Sequence, residues 1–132
     1  MRVANPGRVL VVSAKVLVVE DHADTRELIA MLLNMAGYAV ATAADGQQGI
    51  TQASLQQPDI IVTDINMPNL TGTEMIKRLR NLQEFSSVPI IVLTAYGNDV
   101  ALDAVTRGAN KALAKPVDFE LLVGTIKDLL HE

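Results

Sequence analysis

Five positions in this 132-residue sequence carry side chains whose types and placement suit chemistry: the pair Glu20-Asp21, then Asp64, Thr94 and Lys115. Each follows directly on a short apolar run: Val16-Leu17-Val18-Val19, Ile60-Ile61-Val62-Thr63, Ile90-Ile91-Val92-Leu93 and Ala112-Leu113-Ala114 in turn. In an open parallel sheet a ligand site lies beyond the carboxyl ends of the strands, near the switch point in strand order. If the runs are strands about 4.8 Å apart, the three carboxylates share one pocket. Like charges that close raise one another's pKa unless a cation compensates, and an all-oxygen ligand set completed by water and phosphate suits Mg²⁺. Lys115, two strands from Asp64, has about 10 Å to cover, so an amine and a metal would flank one aspartate. That arrangement fits phosphoryl transfer to a carboxylate. Asp64 would attack phosphorus in line, Mg²⁺ and Lys115 would neutralise the phosphoryl oxygens, and Thr94 would donate a hydrogen bond to one of them. An acyl phosphate hydrolyses readily, so the product is a timed signal.

From Lys15 onward, aliphatic runs alternate with segments of helical period, as in repeated βα units that build a parallel sheet. Five units fit, with strands expected at 16–19, 39–43, 60–63, 90–93 and 111–114. The expectation is an α/β fold: one doubly wound five-stranded parallel sheet in the order 2-1-3-4-5, flavodoxin-like. Leu28, Ile29, Leu32 and Leu33 mark one face of the first helix, Met75, Ile76 and Leu79 that of the third, and Leu122, Ile126, Leu129 and Leu130 that of the last. All are read as core packing. Thr71-Gly72-Thr73-Glu74 has the form of a capping box opening the third helix, and Asp118 of a cap for the fifth. Gly37 and Gly108 are placed to stop the first and fourth helices. The run Val9-Leu10-Val11-Val12 nearly repeats Val16-Leu17-Val18-Val19. The second is preferred as the first strand of the sheet because carboxylates come directly after it. Residues 1–14 are then an N-terminal extension, either an added edge strand or an arm, and residues 15–132 the domain proper.

The ordered set Glu20-Asp21, Asp64-Ile65-Asn66-Met67-Pro68, Thr71-Gly72-Thr73-Glu74, Thr94-Ala95, Gly108-Ala109 and Lys115-Pro116 resembles the receiver domain of two-component response regulators, with its CheY-like fold. The resemblance implies that Glu20, Asp21 and Asp64 bind Mg²⁺ together with the backbone carbonyl of Asn66. It also implies that Asp64 is the phosphoacceptor, Thr94 the switch hydroxyl and Lys115 the family's lysine, with a cis bond before Pro116. The phosphoryl donor would be a phosphohistidine on a histidine kinase or phosphotransfer protein. A stand-alone receiver would act by docking on a downstream protein or by passing the group along a relay, and family analogy adds a phosphorylation-dependent homodimer through the fourth and fifth helices. The sequence departs from the family at Ala112, where an aromatic residue is usual, and Lys111 beside it adds a positive charge. Asn66 and Tyr96 occupy positions that tune self-dephosphorylation in the family, and bulky Tyr96 is expected to slow it.

Other classes find less support. The formal charge of −4, with no basic stretch, argues against direct nucleic-acid binding. Without cysteine there is no disulfide, thiolate nucleophile or Cys-based metal site. No apolar run approaches the roughly 18 residues of a spanning helix, and Lys15 interrupts the faint signal-like pattern of residues 1–19. The expected location is cytoplasmic. His22 and His131 read as surface residues, and Gly46 and Gly49 make no nucleotide fingerprint. The expectation is a switch that catalyses its own phosphorylation and hydrolysis but turns over no external substrate. Two alternatives stand beside it: an aspartyl-nucleophile phosphatase or phosphotransferase of the haloacid dehalogenase kind, and a receiver-like interaction module independent of phosphorylation. The first would want a second aspartate where Asn66 stands.

Overall fold

The structure, a computed structural model, describes residues 2–5, 8–95, 103, 105 and 107–132, with side chains from residue 13 onward. Its strands are β1 (Arg2–Asn5), β2 (Arg8–Val12), β3 (Lys15–Val19), β4 (Ala39–Ala43), β5 (Ile60–Asp64), β6 (Ile90–Thr94) and β7 (Lys111–Ala114). The helices among the described residues are α1 (Ala23–Met35), α2 (Gly46–Gln56), α3 (Gly72–Arg80) and α4 (Phe119–Leu130), with a 3₁₀ turn at Gln83–Phe85. Of the helix expected in the fourth βα unit only Asp103 and Val105 are described, and Tyr96 lies outside the described residues.

Five strands form one sheet in the order β4-β3-β5-β6-β7, every neighbouring pair parallel. Counted from β3, that is the expected order 2-1-3-4-5. The strands are short and strongly apolar because both faces are covered; β5 and β6 are buried at every position. Alternation along β3 divides the core. Val16 and Val18 join Ile29 and Leu33 of α1 and Leu122 and Ile126 of α4, whereas Leu17 and Val19 join Met75, Ile76 and Leu79 of α3 on the other face. Arg80 at the end of α3 ties the far edge in place: Nη1 donates to the carbonyls of Phe85 and Val88, both at 2.7 Å, and Nη2 to that of Gly108 at 2.9 Å.

Several expectations are refined. Asp64 and Thr94 are the last residues of β5 and β6, one position inside the strands. Thr71 caps α3 by accepting from the amide of Glu74 at 3.2 Å, but among the described residues exposed Glu74 does not complete the box. The Asp118 cap forms, accepting from the Leu121 amide at 3.1 Å, and Gly37 and Gly108 take the positive φ that their stop roles require. Leu28, expected in the core, is half exposed, because the buried stripe of α1 is Ile29 and Leu33. Among the described residues the N-terminal extension adds no strand to the parallel sheet. β2 pairs antiparallel with β1 in a separate two-stranded sheet, and closing so short a loop costs less entropy than recruiting a distant edge. No helix among the described residues is long and apolar enough to cross a membrane.

Candidate functional site

The chain leaves β3 toward β4 on one side and returns through β5 on the other, which opens a crevice at the carboxyl ends of β3 and β5. Glu20 and Asp21 emerge from β3 there. The Glu20 amide donates to the Ala43 carbonyl at 3.0 Å and its carbonyl accepts from Arg26 Nη1 at 2.9 Å, so the backbone is held between β4 and α1. Asp64 closes β5, and its Oδ1 accepts from the following amide of Ile65 at 2.8 Å. The loop beyond it is anchored by Ile65, Met67 and Leu70, all buried in the α3-side core, while Asn66 between them is exposed. The Gly72 amide donates back to the Ile65 carbonyl at 2.8 Å. A Cβ on Gly72 would collide with the Asp64 carbonyl oxygen, so the capping turn of α3 lies directly against the aspartate's backbone.

Lys115 brings the two carboxylate strands together. Its Nζ lies 3.1 Å from Glu20 Oε1 and 3.1 Å from Asp64 Oδ2. Its amide donates to the Thr94 carbonyl at 2.8 Å, which holds the cis Lys115-Pro116 loop against the end of β6. Glu20, Asp64 and Thr94 are nearly closed to solvent. Two nearly buried carboxylates therefore face one amine. Burial first, and then the hydrogen bond with Asp21, hold Glu20 above the ordinary carboxylate value; the charge of Asp64 adds to this and Lys115 only partly offsets it. Burial pulls the Lys115 amine down, but hydrogen bonds and charges from Asp64 and Glu20 outweigh it and set the amine above the ordinary lysine value.

The donor chemistry fits a hard dication. Asp21 Oδ1 is shut off from solvent and makes no hydrogen bond among the described residues, an arrangement that costs stability unless a cation meets it. Ligand-type atoms of Glu20, Asp21 and His22 lie within 4.8 Å of one another, and Lys115 ties Asp64 to this group. His22 is exposed, as a surface residue should be, yet its Nδ1 is 3.4 Å from Asp21 Oδ1. A groove of about 350 Å³ opens beside the cluster, with Leu28, Leu32 and Phe119 among its apolar walls and Glu20, His22 and Lys115 also lining it. Ala112, at the position where an aromatic residue was expected, packs on the α3-side core, and Lys111 is exposed.

The response regulator receiver domain family matches residues 16–127. Over 122 residues the chain is 38% identical to the transcriptional regulatory protein PrrA of Mycobacterium tuberculosis, covering 92% of this chain and 52% of that protein. Among solved structures, the chemotaxis response regulator CheY4 of Vibrio cholerae superposes with a TM-score of 0.84 at 34% identity, over 89% of this chain and 99% of that one. The receiver domain of a sensor histidine kinase from Pseudomonas aeruginosa, with a magnesium ion coordinated in its active-site cleft, gives 0.84 at 30% identity over 92% and 100%. The chain belongs to the response regulator receiver domain family, the receiver of phosphorylation-activated switches in two-component signalling, and its fold is that of the family. It spans about half or less of the length of the curated relatives it matches.

Proposed function

We propose that this chain accepts a phosphoryl group on Asp64 from a phosphohistidine of a histidine kinase or phosphotransfer protein, and that the aspartyl phosphate drives contact with a downstream protein. The observation that carries this reading is the Lys115 amine 3.1 Å from both Glu20 and Asp64, at the carboxyl ends of β3 and β5. In the step, an Asp64 oxygen bonds to phosphorus as the P–N bond breaks and its electron pair leaves with the donor imidazole. Water later attacks the same phosphorus, and inorganic phosphate and the free carboxylate return. Lys115 balances charge on the phosphoryl oxygens, and the Thr94 hydroxyl donates to one of them.

Glu20, Asp21, Asp64 and the Asn66 carbonyl would hold Mg²⁺, which when bound supplies further neutralisation of phosphoryl charge. The shielded oxygen of Asp21 supports this. The groove beside Lys115, apolar along Leu28, Leu32 and Phe119, gives the donor's ring an approach. Residues 15–132 act as the receiver, residues 1–14 as an extension, and the location is cytoplasmic, where such donors are made. Output runs without the usual aromatic, since Ala112 stands in its place.

The test is intact mass after incubation with Mg²⁺ and acetyl phosphate, beside an EDTA sample and Asp64→Asn. A single phosphoryl adduct that needs Mg²⁺, decays with time and is missing in the variant is the expected result. An adduct retained in Asp64→Asn would contradict the assignment.

A further inference from the structure

Asp45 is a buried carboxylate that the phosphoryl-transfer reading leaves unused. It lies at the turn from β4 into α2, and both of its oxygens are engaged. Oδ1 accepts from the Gln48 amide at 2.8 Å and so caps α2. Oδ2 accepts from Asn69 Nδ2 at 3.1 Å, in the loop that follows Asp64. These bonds, that from Gln48 first, hold the carboxyl below its ordinary value, so it stays charged at neutral pH. Asn69 has a φ of +68°, and the Leu70 amide donates to the Pro68 carbonyl at 2.8 Å, closing a three-residue turn about it. Turns of that kind with positive φ are rare and strained, and a strained residue persists only where its surroundings over-determine it. The adjoining Leu70 carbonyl accepts from the Gly46 amide at 3.2 Å, and a Cβ on Gly46 would strike that oxygen. The far end of the loop is thus seated on the β4–α2 turn.

At its near end the same loop is fixed by the Gly72 amide on the Ile65 carbonyl, and Met67 is buried in the core. Exposed Asn66 stands between these anchors, so how steadily its carbonyl is held depends on both ends of the loop. We propose that Asp45, acting through Asn69, is a positioning residue for phosphoryl transfer: it clamps the strained turn beyond Asp64 and so keeps the Asn66 carbonyl available to the dication. The inference rests on the reading that Asp64 takes the phosphoryl group and that the Asn66 carbonyl helps to hold Mg²⁺. A carbonyl on an unclamped loop binds more weakly, because binding must then order the loop. Groups that orient ligands commonly set metal affinity by about tenfold or more. The plainer reading is that Asp45 only caps α2, and then loss of its bond to Asn69 would leave the metal site as it was.

Two substitutions separate these readings. Asp45→Ser keeps a capping oxygen for Gln48 but is too short to reach Asn69, and Asn69→Gly removes the amide while easing the positive φ. In MgCl₂ titrations of the full chain followed by amide NMR, each variant is expected to lose about fivefold or more in affinity. The double variant is expected to lose no more than either single one, since both break the same bond. Asp45→Asn keeps a capping oxygen and a polar group toward Asn69, and should stay within about twofold of the wild type. Labelling by acetyl phosphate should need correspondingly more Mg²⁺ for half its maximal rate, while the rate at saturating Mg²⁺ changes by less than about twofold. Affinities within about twofold of the wild type in both single variants, with urea midpoints showing them folded, overturn the positioning role alone. Losses that add in the double variant overturn it as well, because independent defects add. A wild type that binds no Mg²⁺, or is labelled elsewhere than on Asp64, overturns the inference together with the reading it rests on.

Discussion

β2 and β3 carry the same apolar quartet, Val-Leu-Val-Val, each behind one basic residue, and the molecule uses them differently. β3 lies at the centre of the parallel sheet between β4 and β5, with four of its five residues buried. Among the described residues β2 pairs with β1 alone, in a separate antiparallel hairpin. The apolar run does not decide between these fates. The neighbouring residues on its C-terminal side do: β3 leads into Glu20-Asp21 and the start of α1, a βα unit that can cover the sheet, whereas β2 leads into Ser13-Ala14 and then β3 itself. The same difference decides the chemistry, because only the second run delivers carboxylates to the switch point.

Substitutions can break or sharpen this contrast, and on the stability scale their expected effects run from large to small. Leu17→Ala in β3, a fully buried position, should cost about 3 kcal/mol as a core truncation, read from the urea midpoint. Gly72→Ala should cost about 1–3 kcal/mol as overpacking, because the added Cβ meets the Asp64 carbonyl oxygen. It should also slow adduct formation by displacing that aspartate, which a time course of intact mass would show.

Glu20→Gln should act in the opposite direction on the metal-free protein. The folded state holds Glu20 above its ordinary value, so it binds the proton more tightly than the unfolded chain does. Stability therefore falls as pH rises from that ordinary value through the raised one. Urea midpoints in EDTA from about pH 4 to 8 should show this slope shrink in the variant, while Mg²⁺ affinity drops on the order of tenfold or more. Deleting residues 1–12 should change least, with stability within about 0.5 kcal/mol, because an isolated two-stranded hairpin adds little. Phosphorylation should be retained. A deletion that costs as much as Leu17→Ala would erase the contrast between the two strands.

Most of the frame was legible because a parallel sheet covered on both faces demands short unbroken aliphatic runs, and polar residues that end such runs stand out. That is why Glu20, Asp21, Asp64, Thr94 and Lys115 could be placed before any contact was seen, and why Lys115, two strands from Asp64, could be paired with it. Periodicity was less informative on α1. Leu28 and Leu32 share a face with Ile29 and Leu33, but the sheet buries only the latter two, and the former line the groove. His22 is exposed, as read from the sequence; what the sequence did not show is that the turn at the β3–α1 junction brings its ring within 4.8 Å of the Glu20 and Asp21 carboxylates. The doubled apolar quartet was ambiguous by composition, and the carboxylates after its second copy resolved it. Glu74 shows the limit of a local motif, since the Thr71 cap forms on backbone geometry alone while the glutamate stays in water.

The central claim is that the carboxylate clamped by Lys115 is the one that takes the phosphoryl group. Borohydride reduction after incubation with acetyl phosphate and Mg²⁺, then peptide mass mapping, tests it most directly, because an aspartyl phosphate is reduced to homoserine while a free carboxylate is left intact. Homoserine at position 64 alone, absent when EDTA is present, is the result predicted. Homoserine at position 21 or elsewhere, with Asp64 unmodified, would contradict the account.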